Sequence, residues 1–68
     1  MRFEYDKDAD AAYIYLEGSI NDREVDKTIE LNDNIILDFD KKGKLLGIEI
    51  LSASKILHQK ALFDAQSI

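Results

Sequence analysis

Between Asp38 and Glu49 the chain reads DFDKKGKLLGIE, which meets the calcium-loop template at Asp38, Asp40, Gly43 and Glu49. Calcium takes roughly six to eight oxygens, and three carboxylates on one short stretch would supply charge for a weak divalent-ion site. Lys42 stands where the third oxygen ligand belongs, with Lys41 and Lys44 beside it. A calcium loop also enters and leaves through helices, whereas both flanks here alternate as strands do. The simpler reading is a tight hairpin with cross-strand charge pairing, each pair worth about 0.2–1 kcal/mol. Gly43 is then the residue expected to take a left-handed backbone. A divalent-cation site at Asp38, Asp40 and Glu49 is the alternative.

A second acidic group, Asp6, Asp8 and Asp10, lies in YDKDAD. Paired carboxylates drive glycosidases and aspartic proteases, but those enzymes hold them in a cleft of a far larger fold. In a short polar bend the same residues are expected to accept backbone N–H groups and fix the turn. His58, in ILHQK, has no cysteine to pair with, and Ser19, Ser52, Ser54 and Ser67 lack the context of a nucleophile elbow. An enzyme built on Asp6, Asp10 and His58 would need a concave pocket joining them. No catalytic set and no cofactor site is expected. Gly43 and Gly47 do not form a phosphate-cradling loop, because no lysine–serine/threonine signature follows. Tyr5, Tyr13 and Tyr15 could stack bases, yet such platforms come with a positive groove, so packing in a core or interface is the better reading.

Five short strand candidates and one helix must position these residues. RFEYD alternates, with Phe3 and Tyr5 on one face. AAYIYLE is rich in aromatic and β-branched residues and is apolar on both faces, and GSIND closes it with turn residues. REVDKTIEL alternates Val25, Lys27, Ile29 and Leu31 against Asp26, Thr28 and Glu30, the mark of a strand with one wet face. IILDFD aligns Ile35, Leu37 and Phe39, and LLGIEIL aligns Leu46, Ile48 and Ile50. From Ser52 the period lengthens to three and four, so Ile56, Leu57 and Ala61 form a helical stripe, with Ser52 or Ser54 as the cap. Leu62 and Phe63 widen that stripe, as expected of a helix with a second neighbour.

Sixty-eight residues allow one domain, residues 1–68, and a core that rarely supplies more than about 3–5 kcal/mol. Without cysteine there is no disulfide and no thiolate-bound zinc, so association is the expected staple. The net charge of −5 argues against nucleic acid and would suit a basic protein partner. No apolar run approaches a membrane span, and MRFEYDKDAD lacks the apolar core of a signal peptide, which makes a cytoplasmic location the default.

YDKDADAAYIYL, followed later by IILDFDKKGKLLGIEILSAS, resembles the small bacterial and archaeal proteins grouped as domain-of-unknown-function 2283. The resemblance runs from about Phe3 to Leu57. It rests on Tyr5, Asp6, Asp10, Ala11, Tyr13, Ile14 and Leu16, then on Leu37, Asp38, Asp40, Gly43, Gly47, Ile48, Glu49, Leu51, Ala53 and Ser54. One departure is Asn34, where the family has glycine. Asparagine tolerates the left-handed conformation, so the turn is expected to survive. The resemblance implies a compact antiparallel sheet with a C-terminal helix and no established activity. It also implies an antitoxin-like accessory role beside a small basic toxin-like protein.

The expected architecture is α+β: an antiparallel four- to five-stranded β-meander with one C-terminal α-helix packed on one face. Tyr5, Ile29, Leu37, Phe39, Ile48 and Ile50 should meet Ile56, Leu57 and Ala61. The expected function is a protein–protein interaction module, as a homodimer or with a basic partner, with Ile56, Leu57, Leu62 and Phe63 as interface candidates.

Overall fold

The computed structural model describes residues 1–17 and 23–67, so the GSIND turn expected after the second strand lies outside the described residues. Alternation forms the sheet. β1 (Arg2–Asp6) and β2 (Ala11–Tyr15) make an antiparallel hairpin, and β3 (Lys27–Glu30), β4 (Ile35–Phe39) and β5 (Leu45–Leu51) follow one another antiparallel. α1 (Ala53–Ile56) and α2 (Gln59–Asp64) come next, and β6 (Gln66–Ser67) ends the described chain. The class is α+β.

The sheet has six strands in the order β3-β4-β5-β2-β1-β6, which corrects the expected four- to five-stranded meander. β2 pairs with β5, through Ile14↔Ile48 and Ala12↔Ile50, and not with β3. The most apolar strands thereby take the centre, and β3, with its wet face, takes an edge. β6 runs parallel to β1 through Glu4↔Gln66 and Tyr5↔Ser67, so the sheet is not purely antiparallel. Two residues without alternation gave no signal for that strand.

Register sorts the side chains into two faces. One carries the row Ile29, Leu37, Ile48, Ile14 and Phe3, with Ile35, Ile50, Ala12 and Tyr5 beside it. The opposite face carries Thr28, Asp38, Gly47, Tyr15 and Arg2 in one row, and Glu30, Ile36, Glu49, Tyr13 and Glu4 in the next. Leu57 and Leu62 pack on the first face, against Ala12, Ile50 and Ala53 together with Phe3, Tyr5, Ile14 and Ile48.

Two short helices replace the single expected one. Leu57 is extended (φ −98°, ψ 149°) and separates them. On one continuous helix Leu57 and Leu62 would point about 140° apart, so only a break lets both reach the sheet. The serine cap is also different. Ser52 is left-handed (φ 52°) with no side-chain cap bond, and the first turn of α1 is held from the β1–β2 bend instead. Ser54 donates its backbone N–H to Asp10 Oδ1 at 3.0 Å and its hydroxyl to Asp10 Oδ2 at 2.7 Å. The Ala53 N–H donates to the Asp10 carbonyl at 2.9 Å.

The turn before β4 survives by another route than the one expected. The left-handed non-glycine residues among those described are Asp10 and Ser52, so Asn34 is not one of them. Asn32 Oδ1 accepts the N–H groups of Asn34 and Ile35 at 2.8 and 3.1 Å. Asn34 is thereby left to pair with Leu51, donating from Nδ2 and accepting from the Leu51 N–H.

The core is small. Ala12, Leu46, Ile50 and Ala53 are buried, and no large side chain among the described residues is fully so. Leu37, Phe39 and Ile48 are half-buried as expected of sheet residues. Ile29 and Ile56, expected in the core, are 38% and 41% exposed. The layer over the apolar face comes mainly from Leu57 and Leu62, which sit over β1, β2 and β5 and leave the β3 end bare. Among the described residues no helix is long and apolar enough to cross a membrane.

Candidate functional site

The acidic bend is a structural joint. Asp6 Oδ1 accepts the N–H groups of Asp8 and Ala9 at 3.1 and 3.3 Å, the turn-fixing role its position suggested. Asp10 does more: besides Ser54 it accepts the Tyr5 hydroxyl at 2.7 Å, tying β1, the bend and α1 to one carboxylate. The hydrogen bond from Tyr5, then those from Ser54, holds the Asp10 carboxyl below its usual range, and the same contact pushes the Tyr5 phenol up. His58 caps the start of α2 through its backbone, and its side chain is exposed. Three surface clefts among the described residues are lined without Asp6, Asp10 or His58.

The acidic hairpin is likewise spoken for. Asp40 Oδ1 turns inward to accept the N–H groups of Lys42 and Lys44 at 2.8 and 2.9 Å, and Gly43 takes the left-handed backbone expected of it (φ 79°). Asp38 stays on the sheet face, where its carboxylate accepts the Tyr13 hydroxyl at 2.7 Å and the Thr28 hydroxyl at 2.8 Å. Glu49 stands opposite Ile36, away from the turn. No group of three or more His, Asp or Glu side chains is placed to hold a metal ion among the described residues.

The Tyr13–Asp38–Thr28 chain crosses four strands and was not read from the sequence. Tyr13 reaches Asp38 by lying over Gly47, where a Cβ would come 2.6 Å from the ring. A glycine inside the otherwise apolar β5 was the available signal, because such a residue marks a close approach. Burial, and then the bond to Asp38, pushes the Tyr13 phenol well up. Tyr15 packs against Tyr13 with ring centroids 4.5 Å apart, and the Arg2 guanidinium sits 4.1 Å over the Tyr15 ring. Tyr13 and Tyr15 thus act as packing on the face that carries neither helix and are not a free platform, while Tyr5 packs on the helix-covered face.

The interface candidates divide. Leu57 and Leu62 are spent on the core, while Ile56 and, at 89% exposed, Phe63 stand free of it. Phe63 rims a cleft of about 500 Å³ between α2 and the β1–β6 edge. At the opposite edge all four residues of β3 are exposed, and Leu31 just beyond is 64% exposed. Ile29 and Phe39 line a groove of about 310 Å³ there, with Lys27 and Lys41 on its rim. Apolar surface at both ends of the sheet is what the arrangement offers among the described residues.

Comparison with known proteins agrees with the sequence resemblance. The chain is 40% identical over 58 residues to an uncharacterised protein of Methanocaldococcus jannaschii, an alignment that covers 85% of this chain and 46% of that protein. The chain thus spans about half the length of the curated relative it matches. No solved structure matches. The family model described as Protein of unknown function (DUF2283) matches residues 2–54, and the chain belongs to that family.

Proposed function

We propose that the chain is a protein–protein interaction module that completes its core against a second polypeptide. The observation that carries the reading is surface area. The chain exposes 5155 Å² at 7.8 kDa, against about 4,400 Å² for a compact monomer of that mass. The excess, roughly 750 Å², is close to what one partner contributes to an interface of standard size, about 800 Å². Its shape has the same cause: the slab measures 33 × 25 × 17 Å, one sheet with a thin cover on one face.

The partner is a second copy of the chain or a small basic protein, which the net charge of −5 would complement and the antitoxin-like role of the family resemblance would suit. Binding of an apolar dye to the purified chain, measured with its mass, tests the reading. A self-associated chain, or a monomer that binds dye, is expected. A tightly folded monomer that binds no dye would overturn it.

A further inference from the structure

We infer that the partner is a second copy of this chain, joined edge to edge through β3 about a two-fold axis at Ile29. The inference rests on the interaction reading above and assigns its surface and occupant.

Backbone geometry singles out the register. The Leu31 N–H donates to the Ile35 carbonyl at 2.8 Å, continuing the ladder in which Ile29 faces Leu37 and Lys27 faces Phe39. Residues 27, 29 and 31 therefore aim their backbone groups at β4, as Asp26 does with its N–H to the Phe39 carbonyl at 2.8 Å, and Thr28 and Glu30 turn theirs outward, with no strand beyond them among the described residues. A two-fold partner must keep matching faces together, so the axis passes through a residue, and Thr28 and Ile29 are the two at the middle of β3. An axis at Thr28 sets Asp26 opposite the partner's Glu30, and does so twice, which like-charge repulsion disfavours. An axis at Ile29 sets Thr28 opposite the partner's Glu30 in two hydrogen-bonded pairs. It also brings Ile29 against the partner's Ile29 in the close, non-hydrogen-bonded position.

Side chains agree with that choice. Ile29, 38% exposed, and Leu31, 64% exposed, lie on the face whose apolar layer stops at β3. In this register Leu31 meets the partner's Lys27, whose methylenes can lie along it while the amine stays in water. Both copies then present their apolar faces on the same side of one twelve-stranded sheet, and Ile29, Leu37 and Phe39 of each become interior to a continuous layer. Of the usual protections of an edge, β3 has its short length and the charges of Lys27 and Glu30, but it has no proline, and the four paired residues of the β3–β4 ladder run without a register shift.

The chain has no cysteine, so a single introduced thiol reports the register directly. Residues on the axis would place their Cα atoms about 4.5 Å apart, inside the disulfide range of about 4.4–6.8 Å. Residue 31 would lie roughly 13 Å from its own copy, outside that range. Under mild oxidation Ile29→Cys is expected to form a covalent dimer at least about ten-fold faster than Leu31→Cys, and the Lys27→Cys/Leu31→Cys pair to form a doubly linked one. Equal, slow cross-linking of all three would overturn the assignment. If the unmodified chain is nevertheless dimeric by native mass, the edge fails and the interaction reading stands. A monomeric chain that binds no apolar dye and does not cross-link at residue 29 removes both.

Discussion

Tyr13 and Asp38, 25 residues apart, are joined by a 2.7 Å hydrogen bond that exists only because Gly47 lies flat beneath the tyrosine ring. One small residue on β5 thus lets β2 reach over to β4, and Thr28 extends the link to β3.

Gly47→Ala should displace the Tyr13 ring, since the added carbon would sit 2.6 Å from it. Losing a hydrogen bond to a charged group costs about 1.5–3 kcal/mol, while alanine gains about 0.5–1 over glycine in a strand. A net loss of about 1–2 kcal/mol is expected by denaturant unfolding. In a Tyr13→Phe background the same change should cost less, and additive effects would show that the two residues are not coupled.

Stability should fall at high pH. The Tyr13 phenol titrates above its ordinary value in the folded chain, for reasons of burial and then of the Asp38 bond. Its contribution is therefore complete below the unfolded value of about 10 and is lost as pH rises through the folded one. Melting followed from neutral to alkaline pH should show the decline, and Tyr13→Phe should flatten it.

The acid limb belongs in part to Asp10, whose carboxyl is held low by Tyr5 and Ser54. Its contribution is present above about pH 4 and lost as pH falls through the lower folded value. Asp10→Asn, which also tolerates the left-handed backbone at this position, should lower the melting temperature at neutral pH and narrow the gap between neutral and acid melts. The exposed Asp8→Asn serves as the unaffected control.

Leu62 and Phe63 are neighbours with opposite roles. Leu62→Ala should cost the monomer about 1–3 kcal/mol, whereas Phe63→Ser should change it by less than about 0.5 kcal/mol. Equal losses would mean that Phe63 is covered in solution.

Millimolar calcium or magnesium should leave the melting temperature unchanged, because Asp40 is turned into its hairpin and Asp38 holds Tyr13 and Thr28. A ligand that binds only the native state must raise it, so a rise would restore the ion-binding alternative at Asp38, Asp40 and Glu49.

Where alternation was strong, the sequence was enough to find strands: residues 2–6, 35–39 and 45–51 were legible from it, as was the turn at Gly43. The third strand was read too long, from residue 23, because Val25 keeps the period beyond the four residues that pair with β4. Strand order was not legible. β2 is apolar on both faces, so periodicity did not say that β5 would be its neighbour. The helix break was hidden for a related reason: Leu57 and Leu62 both fit a helical stripe locally, and only their shared need for the sheet separates them into two helices. Asp10 was recognised as a turn residue, but its hold on Ser54 spans 44 positions, and no local pattern carries a contact of that range.

The central claim is that association supplies the core this chain lacks, and sedimentation equilibrium from micromolar to submillimolar concentration tests it most directly. A concentration-dependent shift to twice the mass of 7.8 kDa, with a melting temperature that rises in step, is the expected result. A single-chain mass at every concentration, with an invariant melting temperature and no apolar dye bound, would contradict the account.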